Sequence, residues 1–424
     1  MSALIVSRSC PWPFDTATGG IFHRLQLLLR AASRVAGHLD ILFFVPPSWN
    51  VGPVEAIELQ QRLQFDWGVT ASVELVPWRA ELTHNFARYY LYPAMDVRAQ
   101  AGYSRLLGPE QAQAVRRALA RGPAWVLAHR LQPWVLLQQT GLPLPRVVLD
   151  LDDLEHRTLW QASWHRPRWL MERLRALQVP ALALAQRRAV GASSLTLVCS
   201  DVDARRLRRL APTGALAVLP NPAVHLPAQV APTEGKGPVL AYVGGYAFVP
   251  NAQAADVLVR DVFPIVRAKI PQARLLIVGS HPELIPAHAL GPLPGVEYLG
   301  FVENVAEVYQ EAALVCCPIR SGSGTRLKII EAAAHGVPAV STRLGAEGLT
   351  FEDGIEIAMA DTTQELAARC LQLLTAPLVR ARWAQAARAK AKSEYAMSAL
   401  VERAARLFAE SEVSWRRSKS EPPY

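Results

Sequence analysis

The sequence predicts an α/β protein of two tandem Rossmann-like domains with parallel sheets and a helical C-terminus. Three observations carry this expectation. Short apolar runs alternate with longer amphipathic ones along the chain, the pattern of βαβ units. A proline- and glycine-rich stretch, Pro220–Gly237, interrupts that alternation midway. The 424 residues exceed one ordinary domain, and a hydrophobic share of 51% is ample for two cores.

In the first half the runs Ala3–Val6, Asp40–Val45, Ser72–Val76, Trp125–Ala128, Val147–Leu149, Leu195–Cys199 and Ala215–Leu219 read as strands. The first helix rests on Ile21, Phe22, Leu25, Leu28, Leu29, Ala32 and Val35, which recur at helical spacing. In the second half the strands are Pro238–Val243, Arg274–Val278, Val296–Leu299, Leu314–Cys317, Pro338–Val340 and Ile355–Ala358. Helices are expected over Ala252–Lys269, Thr325–His335 and Thr363–Leu374, then Leu378–Lys392 and Ala396–Glu410, with a frayed tail from Ser414. The expected division is 1–224 for the first domain, 225–237 for a linker, 238–393 for the second domain and 394–424 for a final helix and tail.

The charged share of 19% is too low for disorder, and the net charge of +9 suits acidic ligands. Nucleoside diphosphates, nucleic acid and anionic membranes all qualify. No basic run with interleaved aromatics and no zinc-finger spacing is present, which argues against nucleic acid. Cys10, Cys199, Cys316, Cys317 and Cys370 are odd in number and irregular in spacing, the pattern of reduced thiols in a cytoplasmic protein. The apolar run Ala3–Val6 is too short for a signal peptide, and no uncharged run reaches transmembrane length. The expected location is the cytoplasm, with a peripheral place on the inner face of the membrane as the other option.

The most informative segment is Ser321-Gly-Ser-Gly-Thr-Arg-Leu-Lys-Ile-Ile-Glu331. Gly322 and Gly324 let backbone N–H groups approach a ligand, with Ser323 between them and Thr325 starting a helix. Arg326 and Lys328 then fall in the first turn, where cations oppose the helix dipole unless an anion binds. Glu331 follows one turn deeper, placed to accept hydrogen bonds from sugar hydroxyls.

In open parallel sheets ligands bind beyond the carboxyl ends of strands, and the other polar clusters sit at such ends. Gly19-Gly20 lacks full dinucleotide spacing and is either a structural turn or a close backbone approach to a phosphate. His129 and Arg130 follow a strand, with structural and catalytic roles both open for the histidine. Asp150-Leu-Asp-Asp-Leu-Glu155 carries four carboxylates in six residues, which must face water, cations or hydroxyl-bearing ligands. Asp-x-Asp is too short to define a metal site. Asp152 and Asp153 read as acceptor-sugar ligands or as helix caps. Gly244-Gly245 follows the first strand of the second half, and Asn251 precedes its helix.

These residues resemble the GT-B fold glycosyltransferases, specifically glycosyltransferase family 4. The likeness rests on Tyr242-Val-Gly-Gly with Pro250-Asn251, Leu276-Ile-Val-Gly279 and Gly295-Val-Glu-Tyr-Leu-Gly-Phe301, then on Pro318 through Glu331, Gly336-Val-Pro-Ala-Val340 and Gly345-Ala-Glu-Gly348. Looser matches in the first half are Gly19-Gly20, His129-Arg130, Asp150–Asp153, Cys199-Ser200-Asp201 and Pro220-Asn221. The resemblance implies two sheets facing across a cleft and a last helix that crosses back to the first domain. It implies retaining transfer of a sugar from a nucleoside diphosphate sugar, as co-substrate, to a glycan, lipid-linked or small-molecule acceptor. No metal or cofactor is expected. His129, Arg326 and Lys328 would then be catalytic. Gly19, Gly20, Gly244, Gly245, Gly322, Ser323, Gly324, Thr325 and Glu331 would hold the donor, and Asp152 and Asp153 the acceptor. One departure stands out: the family commonly has two glutamates separated by seven residues, and here Ser323 occupies the first place while Glu331 fills the second. A nucleotide-sugar epimerase and a catalytically silent binder are the competing readings.

The segment His156–Arg188 is rich in arginine and tryptophan, including Trp160, Trp164 and Trp169. It reads either as a helix pair with tryptophans in the core or as a surface for an anionic bilayer.

Overall fold

The computed structural model describes residues 2–14, 19–79, 85–164, 170–223, 225–230, 237–322 and 324–420. The chain divides into two compact units, Met1–Asn221 together with Leu400–Tyr424, and Pro222–Ala399.

Seven strands form the sheet of the first unit: β1 (Ser2–Ser7), β2 (His38–Val45), β3 (Ala71–Pro77), β4 (Trp125–His129), β5 (Arg146–Asp152), β6 (Leu195–Val198) and β7 (Leu216–Val218). Their order is β3-β2-β1-β4-β5-β6-β7, and every pair is parallel. Strands β4 and β5 are buried throughout, as a sheet covered on both faces requires of its apolar runs. The order reverses between β1 and β4, so the ligand edge lies beyond the carboxyl ends of those strands. Register there places Ser7 opposite His129, and His129 opposite Asp150.

The last helix, Met397–Ser420, supplies its segment from Leu400 to this unit. Arg146 of β5 is buried and donates from Nη1 to the Phe408 carbonyl at 2.5 Å and to Ser411 Oγ at 2.6 Å. Its guanidinium lies 5.1 Å from the centre of the Trp125 ring, and Trp125 in turn meets Phe408 at 5.3 Å. The helix extends to Ser420, six residues past the Ser414 at which the sequence suggested the tail begins. No proline or glycine intervenes before Pro422 to stop it.

The second unit holds β8 (Val239–Val243), β9 (Arg274–Val278), β10 (Val296–Gly300), β11 (Leu314–Cys317), β12 (Ala339–Ser341) and β13 (Ile357–Met359). Their order is β10-β9-β8-β11-β12-β13, again all parallel, with apolar clusters on both faces. The single helix expected over Ala252–Lys269 is instead Val249–Val257 and Phe263–Lys269, joined by a π-helical turn at Leu258–Val262. Pro264 cannot donate to the preceding turn, and the backbone widens just before it. Helix Thr363–Thr375 starts with a capping box between Thr362 and Glu365.

Residues 225–230 of the expected linker lie on the second unit. Arg388 donates to the carbonyls of Pro227 and Ala228, and Val230 packs at Gly336. Residues 231–236 are outside the described residues.

Phe408→Ala empties a fully buried position between sheet and terminal helix. It is expected to cost about 3–5 kcal/mol, read as a lower urea midpoint for the first unit; an unmoved midpoint would show that the terminal helix does not support that core.

Candidate functional site

In the second unit the sheet order again reverses between two neighbours, here β8 and β11. Strand β8 ends in Tyr242 and Val243, then Gly244-Gly245, and Asn251 stands in the first turn of helix Val249–Val257. Strand β11 leads through Pro318–Arg326 into helix Leu327–Ala334. The two connections converge on Lys328. Its ammonium is buried, donates to Asn251 Oδ1 at 2.8 Å and lies 4.1 Å from the centre of the Tyr242 ring. A Cβ on Gly244 would come within 2.9 Å of both Lys328 Nζ and Asn251 Nδ2 and would displace them from their present places. Burial lowers the Lys328 ammonium to about 8; Cys317 opposes that shift, Arg326 adds to it and Glu331 opposes it.

The loop before the helix is held by Arg326. Its Nη1 donates to the Gly324 carbonyl at 2.8 Å, and its Nη2 to the carbonyls of Gly322 at 2.8 Å and Ser321 at 3.5 Å. Gly322 and Gly324 have φ of 96° and 77°, which L side chains rarely adopt, so both glycines are set by the turn. This corrects the expectation for the segment. The helix begins at Leu327, not Thr325, Arg326 is its N-cap, and the Arg326 guanidinium gathers loop carbonyls. Ser323 lies outside the described residues. Thr325 is partly exposed ahead of the helix, and Gly245 faces Ser280. Glu331 is half-buried one turn beyond Lys328 and accepts a long hydrogen bond, 3.5 Å, from the Tyr309 hydroxyl. Burial raises its carboxyl above the ordinary range while Lys328 opposes.

In the first unit the register at the ends of β1, β4 and β5 builds a buried polar row. His129 is 1% exposed; its Nδ1 hydrogen-bonds Ser7 Oγ at 2.8 Å, and its Nε2 has no hydrogen-bond partner among the described residues. Burial, reinforced by the charge of Arg130, lowers the imidazole to about 3, so it is neutral at pH 7. Arg24 of helix Gly20–Val35 is fully buried and grips Asp150 through Nε and Nη2, at 2.9 and 2.5 Å. Its Nη1 donates to the Leu219 carbonyl and to Asn221 Oδ1, each at 2.9 Å. Burial alone would lower the Arg24 guanidinium, but Asp150 outweighs it and holds it above its usual range, while burial raises the Asp150 carboxyl against the opposing pull of Arg24. Asp152 pairs with Arg130 at 2.6 Å and accepts from Asn221 Nδ2 at 3.2 Å. Burial would raise Asp152, yet Arg130 and Arg24 bring it below the ordinary range.

The carboxylates after β5 therefore meet guanidinium groups of their own unit. Asp152 faces inward, whereas Asp153 is half-buried and accepts from Thr158 Oγ1 at 3.3 Å. Arg130 and Asp152 both have positive φ, 79° and 56°, a strain that non-glycine residues hold where surrounding contacts fix them. Gly19 precedes helix Gly20–Val35 with φ of −77° and no side-chain cap, so its glycine is not demanded by backbone angle. Such an N-terminus leaves N–H groups for an anion.

Sequence reasoning missed Ser7, Arg24 and Asn251 as holders of His129, Asp150 and Lys328. Asn251 was within reach through its motif with Pro250; Ser7 depends on strand register, and Arg24 on how the first helix packs on the sheet. Trp160 and Trp164 are exposed, which excludes the core reading for both, and Trp169 lies outside the described residues.

Residues 237–376 match the family model described as Glycosyl transferases group 1, which covers the sheet of the second unit. No curated protein matches the sequence. Among solved structures, the chain is similar to sucrose-phosphate synthase from Thermosynechococcus elongatus, with TM-score 0.69, 16% identity, and coverage of 98% of this chain and 100% of that one. Anabaena HepE, solved with UDP and glucose, gives TM-score 0.62 at 14% identity, covering 97% and 100%. WaaG, a glycosyltransferase involved in lipopolysaccharide biosynthesis, gives 0.60 at 16% identity, covering 96% and 99%. The chain thus has the GT-B fold, with a segment similar to group 1 glycosyl transferases at the site built around Lys328.

Proposed function

We propose that the protein is a retaining, metal-independent glycosyltransferase of family 4 that moves a sugar from a nucleoside diphosphate sugar to a hydroxyl of a glycan, lipid-linked or small-molecule acceptor. The observation that carries this reading is the buried Lys328 ammonium, held by Tyr242 and Asn251 against a backbone stripped of side chain at Gly244. A desolvated cation beside glycine-rich backbone favours a polyanion, and it favours one most where negative charge grows. In the reaction the anomeric C–O bond to the diphosphate breaks, and the acceptor oxygen bonds to the same face of the sugar. The acceptor proton passes to the departing phosphate oxygen, so no protein base is needed. Lys328 stabilises the leaving oxygens, a contact worth about 3 kcal/mol at the transition state. Arg326 keeps the Gly322–Gly324 backbone in the conformation that meets the diphosphate. Glu331 accepts from sugar hydroxyls of the nucleotide. His129, neutral at pH 7, serves as a hydrogen-bonding group and not as an acid or base. Gly19-Gly20 is the remaining donor contact in this reading, and Asp152 and Asp153 the acceptor contacts. The five cysteines are buried free thiols, which supports a cytoplasmic place of action.

Incubation with radiolabelled nucleotide sugars, with and without lipid-linked and oligosaccharide acceptors, tests the class. Acceptor-dependent release of nucleotide is expected. Conversion of the sugar without acceptor would indicate an epimerase, and binding without turnover a silent binder.

Lys328→Ala is expected to lower turnover at least tenfold with the fold intact; an unchanged steady-state rate would remove it from the site. Glu331→Ala should weaken nucleotide binding in calorimetry, with UDP the first ligand to try because HepE was solved with it. Undiminished affinity would contradict its role.

The Lys328 shift also sets a pH dependence. In the empty protein the folded state holds fewer protons than the unfolded chain between about 8 and 10.5, so this group's destabilising effect is relieved as pH rises through that window. A bound diphosphate restores the charged form. Affinity for UDP should therefore be level below about 8 and fall by up to about tenfold per pH unit above it, with proton uptake on binding. Lys328→Ala should abolish both trends, and a flat wild-type profile from neutral to alkaline pH would refute the assignment.

A further inference from the structure

The aromatic side chains left in water concentrate on one face of the first unit. Five of the nine exposed aromatics among the described residues lie there: Phe86, Tyr89, Tyr92, Trp160 and Trp164. Met95, 84% exposed, joins them. The face is continuous, because segment Ala87–Met95 packs on helical turns Leu170–Gln178, which pack on helix Glu155–Trp164. Gln178 Nε2 donates to the Tyr89 carbonyl at 2.8 Å and fixes the first of these junctions. The Trp160 and Trp164 rings are 5.4 Å apart, and the Arg173 guanidinium lies 5.6 Å from the centre of the Trp164 ring.

The charge of this face is mainly positive. The segment 156–188 contains seven arginines and one glutamate. Arg88 and Arg173 are exposed among the aromatics, and Arg187 and Arg188 are exposed on the adjoining helix Val179–Ala192. The nearby Asp96 is bound to Arg98 at 2.6 Å, and Glu155 is turned inward to the Tyr103 hydroxyl at 2.7 Å. Exposed tryptophan leaves a large apolar surface in water, and its indole suits the boundary between headgroups and acyl chains. Arginine beside it adds attraction to anionic headgroups. A second copy of this chain is the wrong occupant: a two-fold contact through this face would set arginines against arginines.

We infer that the face formed by residues 86–95, 160–164 and 173–177 docks the protein on the surface of an anionic phospholipid bilayer, with Trp160 and Trp164 at the headgroup level. This inference is independent of the sugar chemistry and stands on surface composition alone.

The test is co-sedimentation of the full chain with phosphatidylcholine vesicles, with and without added phosphatidylglycerol, at low and high salt. Association is expected with the anionic vesicles at low salt and at least tenfold weaker association with pure phosphatidylcholine. Each surface cation contributes about fivefold to such partitioning, so Arg88→Glu with Arg173→Glu should reduce binding by at least about tenfold. Trp160→Ser with Trp164→Ser should remove the part that survives high salt. Unchanged cooperative thermal unfolding certifies that each variant is folded. The inference fails if neither vesicle retains the protein, or if folded variants bind as the parent does. It also fails if sizing reveals self-association that the tryptophan variant abolishes, since the face would then belong to another copy of the chain.

Discussion

A positive charge withheld from water organises the second unit. Lys328 loses hydration on burial and recovers interaction energy from the Tyr242 ring and the Asn251 carbonyl oxygen, both too weak to replace a full solvent shell. That deficit is what the proposed diphosphate ligand would relieve. It also dictates sequence around it: β8 must deliver an aromatic ring at Tyr242 and a bare backbone at Gly244, and β11 must deliver a tight turn before the helix. Only the reversal of strand order between β8 and β11 brings these two connections side by side.

The first unit handles buried charge in the opposite manner. Arg24 with Asp150, and Arg130 with Asp152, are matched pairs; Arg24 also donates to Leu219 and Asn221, and Asp152 also accepts from Asn221. Removing one partner of such a pair leaves an uncompensated ion and commonly costs about 3–5 kcal/mol. The row therefore fixes strand ends in a strained backbone and keeps His129 neutral. One unit presents an unsatisfied cation, and the other a balanced and rigid frame.

All thirteen strands were legible in the sequence; those covered on both faces, such as β4 and β5, are near-continuous apolar runs, and the less buried β3, β7 and β10 are short apolar-rich runs bounded by turn residues. The helix start at Leu327 was misplaced by two residues, since its N-cap Arg326 makes no side-chain cap and so leaves no capping signature in the sequence. Pro264 betrayed the interruption of helix Val249–Lys269 only in retrospect. The Arg24–Asp150 contact joins residues 126 positions apart, and nothing local announces it. Trp160 and Trp164, four apart on a helix, share a face whichever way that face turns. Whether it meets core or solvent depends on what lies over it, and the excess of arginine around it was the clue available.

The chain leaves its first unit at Asn221 and returns to it from Leu400. On a ribosome the opening half is therefore made long before the piece that closes it. Until that piece emerges, Trp125 lacks its aromatic neighbour and the Arg146 guanidinium lacks the acceptors that satisfy it in the finished protein. The second unit, contiguous in sequence, suffers no such delay. Completion thus runs against the order of synthesis: the part begun first is the last to be sealed, and a nascent protein truncated before Phe408 carries an open seam along one side of its seven-stranded sheet.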